Sequence, residues 1–441
     1  METRRTVSVL TLGCRVNQYE SDSFSAKLKE NGVTVVPFGE PVRLAVVNTC
    51  TVTAESDRKS RQMIRRAAQN AEMVAVVGCY SQLDAEAVSR MEKVVHVCGN
   101  SGKAELADTI LALLDGSYAG PVNAVTAPDS PASAEMTLTT PMRTRSYIKI
   151  EDGCENRCAY CIINKARGPV RSKASETVLA EVCQLAHAGA QEVILTGIET
   201  ASYGLDFRSR KPYGHALADL IEQVNGIDGI RRIGLGSLDP TVMSDYFVGK
   251  AARCEKLLPH FHLSIQSGCS RTLAAMRRKY NAKQAMEAII RMKAALPGVT
   301  FSADVIAGFP GETEEDFAET VSFCREVSFL HLHIFPYSIR EGTEAASMEN
   351  QVPEEVKHRR AALLEAEGAA LRRELLDQYA ESHRETPVWL LVEKNIGGFC
   401  SGHSEHFVEI GRVKSDARVG EIIPVLLSET DGEVCMGDRK A

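Results

Sequence analysis

Short apolar runs alternate with helix-like stretches over the first quarter of the chain. Four runs rich in valine and leucine have the length and β-branched character of buried strands; they span Val7–Leu12, Leu44–Val47, Val74–Val77 and, more weakly, Val94–Val97. Helix-like stretches such as Tyr19–Asn31 and Ser56–Asn70 lie between them. Because alternating strands and helices form a parallel sheet with helices on both faces, we predict an open parallel α/β domain over residues 1–116.

A second series of alternating strands and helices occupies residues 142–380. Its six strand-like runs are Tyr147–Ile150, Glu192–Thr196, Arg232–Leu235, His260–Ile265, Phe301–Ile306 and His331–Pro336. A long helix is predicted over residues 353–381. Six consecutive βα units predict a partial (β/α)6 barrel, whose active site gathers at the carboxyl ends of the strands.

Two further segments have a different pattern. Residues 117–141 are rich in Pro, Ala, Ser and Thr and lack periodicity, which predicts a linker. Over residues 381–441, the β-like runs Val388–Glu393, His406–Ile410 and Glu421–Leu427 are separated by glycine-containing turns. These short strands predict a small all-β module. The fold class is therefore α/β with an all-β domain at its C-terminal end.

Composition and charge narrow the classes of function. Hydrophobic residues make up 44% of the chain and charged residues 25%, as in soluble globular proteins. No apolar run approaches the roughly 20 residues that cross a bilayer, and Met1–Thr6 lacks a signal peptide's apolar stretch. We therefore expect a cytoplasmic protein with no membrane partner. A net charge of −7 argues against indiscriminate nucleic-acid coating, although it permits a local basic surface.

The chain has thirteen cysteines, and three of them form a compact motif. Cys154, Cys158 and Cys161 have CxxxCxxC spacing and follow Gly153 directly after the first barrel strand. Thiolates are the natural ligands of iron–sulfur clusters, and three of them leave one iron of a four-iron cluster open. An open iron can chelate the amino and carboxylate groups of S-adenosylmethionine (SAM). The alternative is a zinc site, but zinc usually takes four ligands in paired CxxC motifs, and no second pair follows.

Three dispersed cysteines form a second set. Cys14, Cys50 and Cys79 each follow a strand-like run of the N-terminal domain. Since the carboxyl ends of parallel strands lie along one sheet edge, the three thiols can converge on one cluster. Cys98 also follows a strand-like run and is a rival fourth ligand on geometry alone. Any single cysteine here can instead be a small buried apolar residue.

These motifs resemble the methylthiotransferases, a branch of the radical SAM superfamily. The segment from Ile150 to Gly168 carries the resemblance in the barrel, and Thr11–Asp22 resembles the opening signature of the family's N-terminal domain. The resemblance covers essentially the whole chain. It implies that Cys14, Cys50 and Cys79 hold a second four-iron cluster with an open iron, and that Cys98 is structural. The last module resembles the TRAM domain, a small RNA-binding β-barrel.

The resemblance also implies the reaction and its components. One cluster cleaves SAM to a 5′-deoxyadenosyl radical, which abstracts hydrogen from C2 of a modified adenosine in tRNA. The second cluster carries the sulfur that is inserted, methylated by another SAM. The implied cofactors are two [4Fe-4S] clusters and SAM. The implied partners are tRNA, an electron donor such as flavodoxin or ferredoxin, and a sulfur donor.

Several strand ends supply candidates for SAM binding. The superfamily's SAM pocket lies at these strand–turn junctions, and the matching residues are Tyr160, Thr196, Gly197, Ser264, Gln266, Arg278, Gly308, Phe335 and Tyr337. Glycine- and serine-containing turns allow the backbone to approach a ligand closely. Ordinary βα loops are the alternative interpretation of these positions. For Arg278 within Arg277–Lys279, RNA phosphate or a solvated helix face are further alternatives.

The branches of the family differ in substrate. They act on isopentenylated or threonylcarbamoylated adenosine in tRNA, or on an aspartate of a ribosomal protein. Gly13–Glu20, Leu195–Ile198 and Phe261–Cys269 look most like the threonylcarbamoyladenosine branch, which modifies position 37. Asn164, where the family usually has proline, and the glycine-rich Gly234–Ser237 depart from the pattern.

A carboxylate-bearing substrate calls for cations in the site. The candidates near the cluster motifs are Arg15, Arg167 and Arg171. A site built for polar groups rejects an apolar analogue, because its own polar groups would then stay unpaired. The alternatives are a methylthiotransferase of another branch, or a non-catalytic RNA-binding iron–sulfur protein without a SAM pocket.

Overall fold

The computed structural model describes residues 5–128 and 136–440; residues 129–135 of the predicted linker lie outside the described part. The N-terminal domain alternates strands and helices. Its elements are β1 (Thr6–Thr11), α1 (Arg15–Glu30), β2 (Thr34–Val36), β3 (Val42–Thr49), α2 (Ala54–Asn70), β4 (Ala71–Gly78), α3 (Cys79–Leu83), α4 (Ala85–Ser89), β5 (Val94–Val97) and α5 (Leu106–Leu114).

The N-terminal strands form one five-stranded sheet in the order β2-β1-β3-β4-β5, and every pairing is parallel. Val46, Val47 and Val76 on the central strands are fully buried, because helices cover both faces of a parallel sheet. The predicted open parallel α/β domain is confirmed.

The central part continues the alternation. Its elements are β6 (Arg145–Lys149), β7 (Glu151–Asp152), α6 (Ile163–Arg167), β8 (Arg171–Ser172), α7 (Ser175–His187), β9 (Glu192–Thr196), α8 (His215–Asn225), β10 (Arg232–Leu235), α9 (Asp245–Ala251), β11 (His260–Gln266), α10 (Ser270–Ala275), α11 (Ala282–Ala295), β12 (Thr300–Ala307), α12 (Glu314–Val327), β13 (His331–Pro336) and α13 (Glu354–Ser382). Side-chain caps begin several of the helices, as at α12, where Thr313 and Asp316 form a capping box.

The six main strands of this part form two parallel three-stranded sheets, β10-β9-β6 and β11-β12-β13. Isolated bridges from Ile233 to Leu257 and from Leu238 to Leu263 join the two sheets between β10 and β11. The strand order is therefore that of a partial barrel with β6 and β13 as its outer strands. This arrangement confirms the predicted partial (β/α)6 barrel.

The N-terminal domain packs against the open side of the partial barrel. Helix α1 lies against β6, and one continuous hydrophobic core includes residues of both parts. The described ends of segment 117–141 join this packing. Val122 and Ala124 hydrogen-bond to Val97 at the edge of β5, while Met136 and Leu138 are buried in the shared core.

The C-terminal module is a closed barrel in the order β14-β15-β16-β18-β17. Its strands are β14 (Val388–Ile396), β15 (Phe399–His403), β16 (Glu409–Lys414), β17 (Ile422–Thr430) and β18 (Cys435–Arg439). The predicted all-β module is confirmed, but the strand predicted at 406–410 begins later, at Glu409. Strands β15 and β18 lacked a sequence signal because glycine and polar residues interrupt them. Among the described residues, no helix is long and apolar enough to span a membrane.

Candidate active site

The loop with Cys154, Cys158 and Cys161 begins in a backbone conformation that requires glycine. Gly153 has a φ of 85°, and a Cβ there would lie 1.9 Å from the Pro169 carbonyl oxygen. The backbone N–H groups of Asn156 and Ile163 donate to the sulfurs of Cys154 and Cys161, each at 3.4 Å. Such N–H donors orient and stabilise thiolates that bind a metal cluster.

The Cys158 sulfur has a charged donor. Nη1 of Arg278 lies 3.4 Å from Cys158 Sγ, and its Nη2 donates to Asp239 and to the Ser264 carbonyl. Burial raises the pKa of Cys154 to about 12 and that of Cys161 to about 11. Cluster binding therefore has to displace their protons, as metal binding to thiols generally does.

Cys14, Cys50 and Cys79 lie together at the carboxyl edge of the N-terminal sheet. Cys14 precedes α1, Cys50 follows β3, and Cys79 begins α3. A Cβ at Gly13 would lie 2.8 Å from Cys50 Sγ, so glycine allows the close approach of the first two segments. Protein atoms crowd Cys14 and Cys50, and this burial, together with the neighbouring Cys79, raises the pKa of both thiols, although Cys14 still reaches solvent.

Cys98 occupies different surroundings. It is buried, a Cβ on Gly102 would lie 3.0 Å from its Cβ, and burial raises the pKa of its thiol to about 12. The charges that act on the Cys98 thiol come from Lys103, Glu105 and Glu20, and none comes from Cys14, Cys50 or Cys79.

Each triad offers three thiols and no competing hard ligand among its own members, which is the donor chemistry that a [4Fe-4S] cluster with an open iron requires. Within residues 5–128 and 136–440, no three His, Cys, Asp or Glu side chains are arranged to hold one metal ion, whereas a four-iron cluster takes one thiolate on each of three irons.

One cavity is lined by residues that neighbour cysteines of both triads in the sequence. Its volume is about 230 Å³, and it is lined by Val52, Thr53, Tyr160, Gln266, Asp304, Ile306, Phe335, Pro336, Tyr337 and Ser338. Val52 and Thr53 closely follow Cys50, and Tyr160 directly precedes Cys161. The cavity at the barrel mouth is therefore bordered by chain segments that carry cysteines of both triads.

The SAM-binding candidates occupy three places. Tyr160, Gln266, Phe335 and Tyr337 line the cavity. The Ser264 carbonyl accepts from Arg278 and from the Tyr280 hydroxyl, so it supports the arginine beside Cys158.

Thr196 and Gly197 lie at the end of β9, where a Cβ on Gly197 would be 2.1 Å from Glu151 Oε1. Gly308 packs instead against the α13 residue Lys357, whose Cγ would be 2.5 Å from a Cβ at this position.

Buried carboxyl groups stand beside Gly197, and Glu151 among them was not predicted from the sequence. Burial and Asp239 raise the pKa of Glu199 to about 7, while burial and Asp152 raise that of Glu151 well above its usual value. Glu151 Oε1 accepts from the Glu199 N–H at 2.6 Å, but Glu151 Oε2 has no hydrogen-bond partner among the described residues. Such orphaned, desolvated carboxyls fit a cationic ligand group such as the SAM ammonium.

The three candidate substrate arginines lie in different environments. Arg15 reaches from the N-terminal domain into the barrel, where Nη1 donates to the Leu235 carbonyl at 3.3 Å. Arg171 is partly exposed and donates to the carbonyls of Arg167 and Pro169.

Arg167 is completely buried and ion-paired with Glu20 and Asp152, and it donates to Cys79 Sγ. A fully buried guanidinium that is already paired with two carboxylates does not fit the substrate contact for which the sequence made Arg167 a candidate. The two domains pack around this guanidinium, and contacts between residues so far apart in the sequence cannot be predicted from a local pattern.

Two family models match the chain. The model of the Radical SAM superfamily matches residues 148–324, which contain the CxxxCxxC motif. The model described as Uncharacterized protein family UPF0004 matches residues 6–99, which contain Cys14, Cys50 and Cys79.

Two relatives and a solved structure are also similar to the chain. The chain is 36% identical to "Threonylcarbamoyladenosine tRNA methylthiotransferase MtaB" of Bacillus subtilis (strain 168), over 95% of this chain and 93% of that one. It is 33% identical to "tRNA-2-methylthio-N(6)-dimethylallyladenosine synthase" of Erythrobacter litoralis, over 82% and 81% of the two chains.

A structure of the radical SAM methyltransferase TsrM from Kitasatospora setae has a TM-score of 0.55 at 14% identity, covering 87% of this chain and 78% of that one, and so supports the fold. The nearly full-length likeness to the Bacillus protein confirms the resemblance found in the motifs: the chain belongs to the radical SAM methylthiotransferase family.

Proposed function

We propose that this enzyme methylthiolates C2 of N6-threonylcarbamoyladenosine at position 37 of tRNA. The observation that carries the proposal is the cavity whose lining includes sequence neighbours of cysteines from both triads. A reaction that combines hydrogen abstraction with sulfur insertion at one carbon needs both centres beside the same atom. The Bacillus relative, whose name states this substrate, aligns over more of the chain than the dimethylallyladenosine enzyme does.

We assign one cluster to Cys154, Cys158 and Cys161, and the other to Cys14, Cys50 and Cys79. When bound, the first supplies the electron that cleaves SAM, and the second presents sulfur to the substrate. The protein itself orients the thiolates and shields the cavity from water. Arg278 and the two backbone N–H groups hold the first set of sulfurs, and Tyr160 and Tyr337 wall the cavity against water.

We assign the end of β9 to the methionine part of SAM. The Glu199 carboxyl becomes ionised when an ammonium group approaches, because an opposite charge reverses the effect of burial on its pKa. A side chain at position 197 would collide with Glu151, so only glycine leaves space beside the carboxyl groups of Glu151 and Glu199.

Helix α2 supplies a basic surface next to the cavity. It begins directly after the cavity residue Thr53, and its exposed face carries Arg58, Lys59, Arg65 and Arg66. We assign these residues, with Arg171 and the C-terminal barrel, to phosphate contacts of tRNA, since a few placed cations suffice for structured RNA. The enzyme would work in the cytoplasm with an electron donor such as flavodoxin or ferredoxin and with a sulfur donor.

Deletion of the gene tests the assignment. Mass spectrometry of tRNA nucleosides from the deletion strain should show loss of 2-methylthio-N6-threonylcarbamoyladenosine and accumulation of its unthiolated precursor. Normal amounts of this nucleoside, with loss of the methylthiolated isopentenyl nucleoside instead, would move the enzyme to the other tRNA branch.

A further inference from the structure

The interior of the partial barrel is unusually polar. Side chains that alternate along a strand share one face, and the polar residues His260, His262, Asp304, His331 and His333 lie at such positions of the second sheet, each with some solvent contact. Closed barrels of this type are filled mainly by branched apolar residues. His262 Nε2 lies 3.2 Å from Asp304 Oδ2, and Asp304 also lines the cavity at the barrel mouth. The polar interior is therefore continuous with the reaction space.

Arg15 enters this interior from the side. It is the first residue of α1, and its hydrogen bond to the Leu235 carbonyl on β10 places the guanidinium across the barrel. Arg15 is partly buried, and Glu192 and Asp304 are the carboxylates near enough for their charges to act on it.

Neither acid neutralises Arg15. Glu192 is paired with Arg145 and Arg232, and Asp304 with His262. Among the described residues, no carboxylate lies within ion-pair distance of Arg15. A partly buried guanidinium that has no anionic partner is suited to an anion that arrives with the substrate.

Resting on the proposed function, we propose that Arg15 and Asp304 form a subsite for the threonylcarbamoyl group of the substrate. The guanidinium pairs with the threonyl carboxylate, and the Asp304 carboxylate accepts the threonyl hydroxyl. An isopentenyl group would offer no anion to the Arg15 guanidinium and no hydroxyl to the Asp304 carboxylate, so this polar site disfavours it. Arg15 and Asp304 are thus the residues that determine which modified adenosine enters.

The test compares tRNAs that differ only in the carboxylate. One carries threonylcarbamoyladenosine and the other its neutral carboxamide; equilibrium binding and kcat/KM are measured for reconstituted wild type, Arg15→Met and the exposed control Arg253→Met. Wild type and control should prefer the carboxylate by about 10- to 100-fold in kcat/KM, the range of a hydrogen-bonded charge. Arg15→Met should lose most of this preference, with unchanged iron content and unchanged SAM cleavage.

The outcomes separate the inference from the proposed function. Failure of wild type to act on threonylcarbamoylated tRNA would contradict the proposed substrate. Activity of wild type together with an undiminished carboxylate preference in Arg15→Met would overturn the subsite. If Arg15→Met loses iron because residue 15 adjoins Cys14, Arg15→Lys is tested in its place. That variant should show a reduced preference, and a preference equal to wild type would overturn the subsite.

A second pair of tRNAs tests Asp304. Glycylcarbamoyladenosine keeps the carboxylate and lacks the hydroxyl-bearing side chain. Asp304→Ala, which removes the acceptor, should keep the carboxylate preference and lose the wild-type preference for the threonyl over the glycyl group. An unchanged threonyl preference would remove Asp304 from the subsite.

Discussion

Nε of Arg167 lies 3.3 Å from Cys79 Sγ, so a residue of the barrel domain donates a hydrogen bond to a thiol of the N-terminal triad. Arg167 ends α6, which begins two residues after Cys161. One short helix therefore connects the two cluster sites. Glu20 and Asp152 hold the guanidinium in place from the two domains.

This hydrogen bond should set the redox potential of the N-terminal cluster. Donors to cluster sulfurs stabilise the reduced, more negative form, so Arg167→Met should lower the midpoint potential of that cluster by some tens of millivolts. Potentiometric titration followed by electron paramagnetic resonance measures the shift. Lys165→Met, on the exposed face of the same helix, is the control and should leave the potential unchanged. Equal potentials in all three proteins would show that Arg167 has a purely structural part.

The assignment of cluster ligands predicts the iron content. Reconstituted protein should hold about eight irons per chain, from two four-iron clusters. The triple variant Cys14→Ala, Cys50→Ala and Cys79→Ala should retain about four irons and cleave SAM without forming methylthio product. Retention of both clusters would contradict the N-terminal assignment.

Cys98→Ala is the matched control for a cysteine at the same sheet. Its iron content should equal that of wild type, with at most a small loss of packing stability. Loss of about half of the iron would make Cys98 a ligand.

An ion pair joins the barrel to the segment after Cys50. Arg340 donates to Asp57 and, at 2.6 Å, to the Thr51 hydroxyl. Arg340→Ala should lower the free energy of unfolding by about 1–3 kcal/mol, because nearly buried Asp57 loses its charged donor. It should also raise the ratio of SAM cleaved to product formed, since the two triads are less firmly opposed. Denaturant titration and product analysis measure both effects.

The exposed pair of Arg325 with Glu367 supplies the comparison. Arg325→Ala should change stability by less than about 1 kcal/mol, as is usual for surface ion pairs. Equal destabilisation by both variants would show that Arg340, although it lies between the domains, contributes no more to stability than a surface ion pair.

Glu199 makes stability depend on pH in the protein without clusters or SAM. Its pKa of about 7 is above the unfolded value of 4.5, so the folded state binds the proton more tightly. The stability that the Glu199 carboxyl contributes is fully present below its unfolded pKa and is lost as the pH rises through about 7. Urea midpoints should therefore fall over this range, and less steeply in Glu199→Gln. Identical slopes for both proteins would contradict the raised pKa.

Local patterns were enough to predict the strand ends and the cysteines that follow them. Glu192–Thr196 and His331–Pro336 have the predicted bounds, because short apolar or β-rich runs end at turns. The positions of Arg167 and Arg15 could not be predicted in this way. Both are fixed by domain docking, which brings together residues more than a hundred positions apart. Strand β15 escaped prediction because Gly402 and its polar neighbours lack strand alternation, and barrel closure supplies the missing pairing.

The most direct test of the central claim is a comparison of two tRNAs with the purified, reconstituted enzyme. One carries threonylcarbamoyladenosine next to the anticodon, and the other carries isopentenyladenosine there. Nucleoside mass spectrometry should show methylthiolation of the first and essentially none of the second. Comparable turnover of both, or turnover of the isopentenylated tRNA alone, would contradict the account.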